Sequence, residues 1–290
     1  MTIPSSPDAN PNDAHCESLV KTSDRSAWLA ALFAPPDKRH FLYAIEAFAI
    51  EIAGVRAKVR EPLAGELRLQ WWTDAIEGEA RGDVRGHPVA AALIETIRRA
   101  HLPRATLTGM IDARRTDLYD DPLASLDEYA ARADQIHGAR ISLEALALQG
   151  TRDPTTEAAA RHAGRAMAVV ETLRAFTSGG TPLHMTVPLD LLRQHGIGAA
   201  EVLVRRTSAP IRAAIAALVD FAWQEWAALR DTRRTLDPRA APAFLTANLA
   251  VPELKRTRQR AYDPFTTQVG LAPWRQQWIL WRAARRNGIL

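Results

Sequence analysis

The sequence predicts an all-α protein, a helical bundle forming a single domain. Three observations predict it. Apolar residues recur at helical spacing in one segment after another, and no stretch alternates with the period of a strand over a useful length. The composition is rich in Ala, Leu and Arg and sparing in Val and Ile, a mixture that favours helix. Pro, Gly and capping residues punctuate the segments, and no linker separates them. With 290 residues, 47% of them hydrophobic, the chain can bury a sizeable core.

The elements follow in order. Residues 1–23 hold Pro, Ser, Asp and Asn without an apolar core, so a disordered lead-in is expected there, with the folded domain over 24–290. "RSAWLAALF" (25–33) reads as a short opening helix. "APPD" breaks it, and Asp37 is placed to cap a long helix over about 38–59. Pro62 suits the first turn of the next helix, "LAGELRLQWWTDAIEGEA". "PVAAALIETIRRA" and "TLTGMIDARRTDLY" are two more. "SLDEY", a Ser with a Glu three residues later, is a capping-box pattern that opens a helix running to a stop at Gly150. "DPTTEAAARHAGRAMAVVETLRAF" follows and ends at "TSGG". "TPLHMTVPLDLLRQHG" reads as a loop with a short helical turn. "APIRAAIAALVDFAWQEWAALRDTRR" is long and amphipathic, the next segment is interrupted by Pro252, and "APWRQQWILWRAARRN" closes the chain as an amphipathic helix over 272–287.

Composition excludes several functions. The formal charge is only +4, although the pI is about 9.6; all but four of the 37 basic residues are Arg. No long basic run or aromatic–basic ladder accompanies the charge, so a nucleic-acid partner is not expected. A single cysteine, Cys16, leaves no intrachain disulfide and no thiolate cluster, and points to a reducing compartment. No segment reaches the ~18 uninterrupted apolar residues of a membrane span, and no signal-peptide core opens the chain. A bacterial cytoplasm and an organelle matrix are not separated by these features, though the N-terminus lacks the Arg-rich amphipathic look of a transit peptide; a bacterial cytoplasmic location, with a peripheral contact on the inner membrane allowed, is the expectation.

Candidate chemistry is sparse. Glu51 lies inside the apolar run "EAFAIEIAGVRAKV" with no basic residue three or four positions away. "DLYDD" (117–121) has the oxygen ligands that Mg²⁺ prefers, but Pro122 follows at once, and acids at a helix end are usually solvated or capping. His87, His101, His137, His162, His184 and His195 make no i,i+4 pair, and no Walker loop, dinucleotide fingerprint or nucleophile elbow occurs. On the last helix Trp274, Trp278 and Trp281 share one face, with Arg275, Arg282 and Arg286 on another. Either the Trp face packs on the bundle with Arg in water, or it meets a membrane surface or a partner's groove.

Several stretches in the right order resemble the squalene/phytoene synthase family of head-to-head prenyl transferases, over about residues 25–285. They are "KRHFLYAIEAFA", "LRLQWWTDAIEG" with "GHPVAAAL", "DLYDD…SLDEYAARADQIHG" with Tyr129 and Gly138, and "HAGRAMAVVETLRAF…VPLDLL". The resemblance implies an isoprenoid-synthase bundle with a central cleft, in which two facing aspartate motifs grip Mg²⁺ while diphosphate departs. The sequence departs from the family at those motifs. The first-motif aspartates fall on Ala53, Gly54 and Ala57, and the second-motif aspartates on Ala175 and Gly179, while Ala168 and Glu171 replace a Gln and an Asn.

"AIEIAGVR", "AGELRLQWW", "DARRTDLYDDP" and "DPFTTQVGLAPWRQQWILWRAA" resemble a divergent branch, that of the phytoene-synthase-like assembly factor of mitochondrial respiratory complex I and its bacterial relatives. That branch implies a non-catalytic assembly or scaffold role, with a membrane-associated respiratory complex or its intermediates as partner and an isoprenoid or lipid as a conceivable ligand. No catalytic residue, metal or cofactor is then expected. Glu51, Gly54, Arg56, Glu171 and Arg174 become cleft-lining candidates, with Glu51 expected to pair with Arg174 or Arg56. Trp274, Trp278, Trp281, Arg275 and Arg282 become membrane or partner candidates. The alternative is an active farnesyl or geranylgeranyl diphosphate transferase with a rearranged site, in which Mg²⁺ would be needed, Glu51 and Glu171 would supply carboxylates, and Arg56 and Arg174 would meet diphosphate directly.

Overall fold

The computed structural model describes residues 10–80, 83–119, 121–178, 187–198 and 206–290; among these the chain is helical, with no strand. Gly179, Asp120 and His184 lie outside the described residues.

The first helix corrects an expectation. α1 (Pro11–Ser23) is ordered and opens with Pro11 at its first position, the Asn10 side chain accepting from the Asn12 amide. Cys16 and Val20, one turn apart, are fully buried, and the helix packs on α3 (Arg39–Ala53) and α6 (Pro88–Ala100). Two buried residues make too thin a stripe to outweigh the polar look of the segment. Trp28 completes the anchor: its Nε1 donates to Glu17 at 3.0 Å and Lys21 lies over its ring. Burial pushes the Cys16 thiol up to about 12. Residues 1–9 of the expected lead-in lie outside the described residues.

α2 (Arg25–Ala31) is capped by Asp24, which accepts from the Ser26 and Ala27 amides. α3 begins without a side-chain cap at Lys38, so Asp37 does not serve, and the helix stops at Ala53 rather than running on to 59. Gly54 is the break, and α4 (Val55–Lys58) is a single further turn. α5 (Pro62–Glu77) has Pro62 at N1 and ends at left-handed Gly78. His87 caps α6, its Nδ1 accepting from the Ala90 amide, and its ring packs against Trp71 and Trp72. α7 (Arg104–Arg115) runs into a 3₁₀ turn, Thr116–Leu118. Ser125 caps α8 (Leu126–Ala133), and Glu128 turns back to accept from the Ala124 amide at 2.7 Å.

The helix expected from Ser125 to Gly150 carries a wide turn in its middle. Asp134–Gly138 is a π-helical segment, after which α9 (Ala139–Gln149) resumes and stops at left-handed Gly150. Close packing on α10 (Pro154–Ser178) accompanies the bulge: a Cβ on Gly164 would overlap the backbone of Gly138. π-Bulges often sit at functional sites. α11 (Leu189–Gln194) is short, and α12 (Ala209–Asp231) lies along α10. α13 (Ala241–Phe244), α14 (Ala250–Thr257) and α15 (Pro273–Ala284) complete the described helices; Pro252 falls in the first turn of α14, where it breaks nothing.

One large core lies around α1, α3, α6 and α9, with Phe48 and Phe244 among its fully buried side chains. A second joins α10 and α12. A small third core fastens α15 to α2 through Ile279, Leu280, Ala283 and Ala30. None of the described helices is long and apolar enough to cross a membrane.

Candidate functional site

The end of α3 and the turn α4 carry the first group of sequence candidates. Glu51 is paired, but neither with Arg174 nor with Arg56. Its Oε2 accepts from Lys58 Nζ at 2.8 Å, and the two side chains are 24% and 49% exposed. The separation of seven residues is two helical turns, so the pair bridges the bend at Gly54 from one side. Ala53 and Ala57 are exposed there, as is Arg56.

The second group converges on α10, opposite the π-bulge. Glu171 Oε2 lies 2.8 Å from His137 Nε2. The side chain is 55% exposed, yet burial among its neighbours is the largest single influence on its pKa. Burial alone would raise its pKa. The charges of His137, Arg114 and Arg132 outweigh that and hold it well below the usual carboxylate range. The same arginines grip Asp117: Arg114 Nη1 is 3.2 Å from it, and Arg132 bonds its other oxygen. Arg114 Nε is buried with no hydrogen-bond partner among the described residues. Beneath the cluster, the buried Tyr129 hydroxyl and Thr172 Oγ1 lie 2.9 Å apart and tie α8 to α10.

Arg174, one turn further along α10, faces α14 instead. Its Nε and Nη2 form a two-pronged bond to Glu253, the first prong 2.9 Å long. Glu253 is fully buried while Arg174 is half exposed. Burial raises the Glu253 pKa, and Arg174 works against that shift. Of the sites aligned with family motif residues on this helix, Ala168 is buried and Ala175 half-buried.

The cluster of Arg114, Asp117, Arg132, His137 and Glu171 thus draws on α7, the 3₁₀ turn, α8, the π-bulge and α10. Among its five members the sequence marks Glu171 as a cleft-lining candidate and Asp117 only as part of the acidic run 117–121. Asp117 looked like a solvated helix-end acid; it is instead held by two arginines. His137 was missed because a regular helix would rotate it away, and the bulge that presents it leaves no periodic signal. The Gly138–Gly164 contact that accompanies the bulge was visible only as two separate glycines.

The last helix turns the way that bundle packing would not. Ile279, Leu280 and Ala283 face inward, whereas Trp274, Trp278 and Trp281 are 72%, 51% and 45% exposed. Arg282 does not occupy a separate face: its guanidinium lies over Trp278, and that of Arg285 lies over Trp281. Arg275 borders a groove with Lys255 and Arg256. Among the described residues no three His, Cys, Asp or Glu side chains gather closely enough to hold a metal.

Comparison with known proteins connects this geometry to a family. The complex I assembly factor 6 of Bos taurus is 26% identical over 257 residues, which span 89% of this chain and 77% of that protein. The Homo sapiens protein of the same name is 27% identical over 261 residues, 90% of this chain and 78% of that one. A dehydrosqualene synthase crystal structure superimposes with a TM-score of 0.78 at 17% identity, covering 94% of this chain and 95% of the other. A squalene synthase from Alicyclobacillus acidocaldarius gives 0.66 at 19%, covering 95% and 94%. The fold is therefore the all-α isoprenoid-synthase bundle. The squalene/phytoene synthase family model matches residues 20–282, and the chain belongs to that family.

Proposed function

We propose that this protein is a non-catalytic assembly factor of the respiratory complex I type, built on a prenyl-synthase shell. The observation that carries the reading is the state of the motif positions. Ala53, Gly54, Ala57 and Ala175 offer no side-chain oxygen where the family places metal-binding aspartates. Mg²⁺ needs such oxygens, so the residues do not fit the ion. The neighbouring charges are engaged within the chain: Glu51 with Lys58, Glu171 with His137, and Arg174 with Glu253. The names of the Bos taurus and Homo sapiens relatives support the same reading. A partner in complex I or its intermediates, and an isoprenoid or other lipid in the cleft, are parts of this proposal.

The reading predicts no product from farnesyl or geranylgeranyl diphosphate with Mg²⁺, followed by product chromatography, and accumulation of complex I intermediates on native gels when the gene is removed. Turnover that disappears in Glu171→Gln would overturn it. One observation favours the alternative of a rearranged prenyl transferase: Glu171 stays accessible among Arg114, Arg132 and His137. Calorimetry with a non-hydrolysable prenyl diphosphate discriminates, because such an enzyme must bind it.

A further inference from the structure

α15 presents an aromatic and basic surface to solvent and keeps a mainly apolar one for the core. Ile279, Leu280 and Ala283 are buried, and Ser26 Oγ on α2 donates to Gln276 at 3.0 Å, which fixes the helix's rotation. That rotation leaves Trp274, Trp278 and Trp281 outside, at i, i+4 and i+7. Three exposed indoles on one stripe are costly in water unless something covers them.

The charge around the stripe says what covers it. From Pro264 to Leu290 there is no Asp or Glu, and there are four Arg: Arg275, Arg282, Arg285 and Arg286. Arg282 and Arg285 lie across the rings of Trp278 and Trp281 at 4.5 and 4.3 Å, so cation and indole face outward together. At the N-terminal end of the helix, beside Trp274, a groove of about 370 Å³ is lined by Lys255, Arg256 and Arg275 without a single acid. Arg256 is held there by the Gln268 and Gly270 carbonyls. An apolar protein groove would match the indoles but leave these cations desolvated. A lipid headgroup region accommodates both, since indole rings favour the interface and Lys and Arg meet phosphate.

We propose that α15 docks this protein on the surface of an anionic bilayer: Trp274, Trp278 and Trp281 enter the headgroup–acyl boundary, and the Lys255–Arg256–Arg275 groove takes lipid phosphate. The helix lies in the plane of the surface and does not span it. The proposal goes beyond the assembly role and does not depend on it, because a vesicle assay contains no respiratory complex and no prenyl substrate.

The test is flotation of the full chain with vesicles of phosphatidylcholine alone, or of phosphatidylcholine and phosphatidylglycerol in equal parts. Binding is expected only to the anionic vesicles, with a blue shift of tryptophan emission and weakening as salt rises. Trp274→Ala/Trp278→Ala/Trp281→Ala should lose the binding and the blue shift. Arg275→Gln and Lys255→Gln should each weaken binding about fivefold. Circular dichroism checks that the triple variant is folded; Trp274→Ala alone, the most exposed of the three, is the second variant and should weaken binding by itself. Equal binding to neutral vesicles, no binding to either, or binding unaltered in Trp274→Ala would overturn the proposal.

Discussion

Glu171 and Asp117 each face cations of their own chain, whereas Trp274, Trp278 and Trp281 face water. The contrast extends further inside. Glu46 and Glu144 share Arg140, all three buried, with Glu144 at 3.0 Å from the guanidinium. The interior thus holds these charged groups in internal pairs, and the C-terminal helix turns its three indoles outward, two of them under arginines of the same helix. Internal pairing stabilises or orders the fold; an outward aromatic and basic surface serves what lies outside the fold. Substitutions in the two regions should therefore move different observables.

The largest effect on stability is expected at Arg140. Arg140→Met leaves Glu46 and Glu144 facing each other without Arg140, and removal of one partner of a buried ionic group costs about 3–5 kcal/mol. Burial already raises both carboxyl pKa values, Glu144 well above the ordinary range, with Arg140 opposing the rise. The sign of the pH dependence follows. A carboxyl with a raised pKa in the folded state holds its proton there more tightly than in the unfolded chain, so its burial costs more as pH rises above the unfolded value of about 4.3. The deficit of Arg140→Met should accordingly grow from acid to neutral pH in denaturant titrations. A deficit that is constant with pH would remove the carboxylates from the explanation.

Gly164→Ala comes next. Alanine would gain up to about 1 kcal/mol in helix propensity over glycine. Its Cβ would overlap the Gly138 backbone, however, and overpacking costs about 1–3 kcal/mol. The net expectation is a loss of up to about 2 kcal/mol in thermal unfolding, with the π-bulge displaced. The His137–Glu171 contact would lengthen with it, which the His137 ring chemical shifts at fixed pH would report.

Legibility in the sequence followed the same division. The helices were readable because their apolar spacing, caps and breakers are local: Pro62, Ser125 and Gly150 act as expected. The partners were not, because they depend on how helices cross. Glu51 meets Lys58 across a bend at Gly54, and Arg174 reaches Glu253 on a helix 79 residues away in sequence. The rotation of α15 was equally undecided by pattern, since both its Trp stripe and its Ile279–Leu280–Ala283 stripe have helical spacing. Only packing on Ala30 and Leu245 selects the second.

Glu171→Gln should have a smaller effect. The carboxyl pKa is depressed in the folded state, so its charge stabilises the fold above the unfolded pKa of about 4.3, and that contribution is lost as pH falls through the folded value. The deficit of the variant should be present at neutral pH and vanish in acid, the same direction as for Arg140→Met but reached through a depressed rather than a raised carboxyl pKa. Its size should stay below about 1 kcal/mol, because water screens a half-exposed pair. Arg114 and Arg132 act on Glu171 alongside His137. His137→Gln should therefore remove only part of the depression of the Glu171 pKa.

The smallest change per site is expected on the Trp stripe of α15, whose rotation the sequence leaves open. Had the Trp stripe packed on the bundle, each Trp→Ala would cost about 3–5 kcal/mol, and the triple variant would not fold. With the rings outside, Trp274→Ala/Trp278→Ala/Trp281→Ala should stay within about 0.5 kcal/mol per site of the parent, because exposed positions seldom contribute more. Leu280→Ala, on the buried side of the same helix, should instead cost about 2–5 kcal/mol. Unfolding midpoints of these two variants measure the two faces of one helix against each other. A triple variant as unstable as Leu280→Ala would place the rings in the core and erase the distinction between an internally paired interior and an open C-terminal surface.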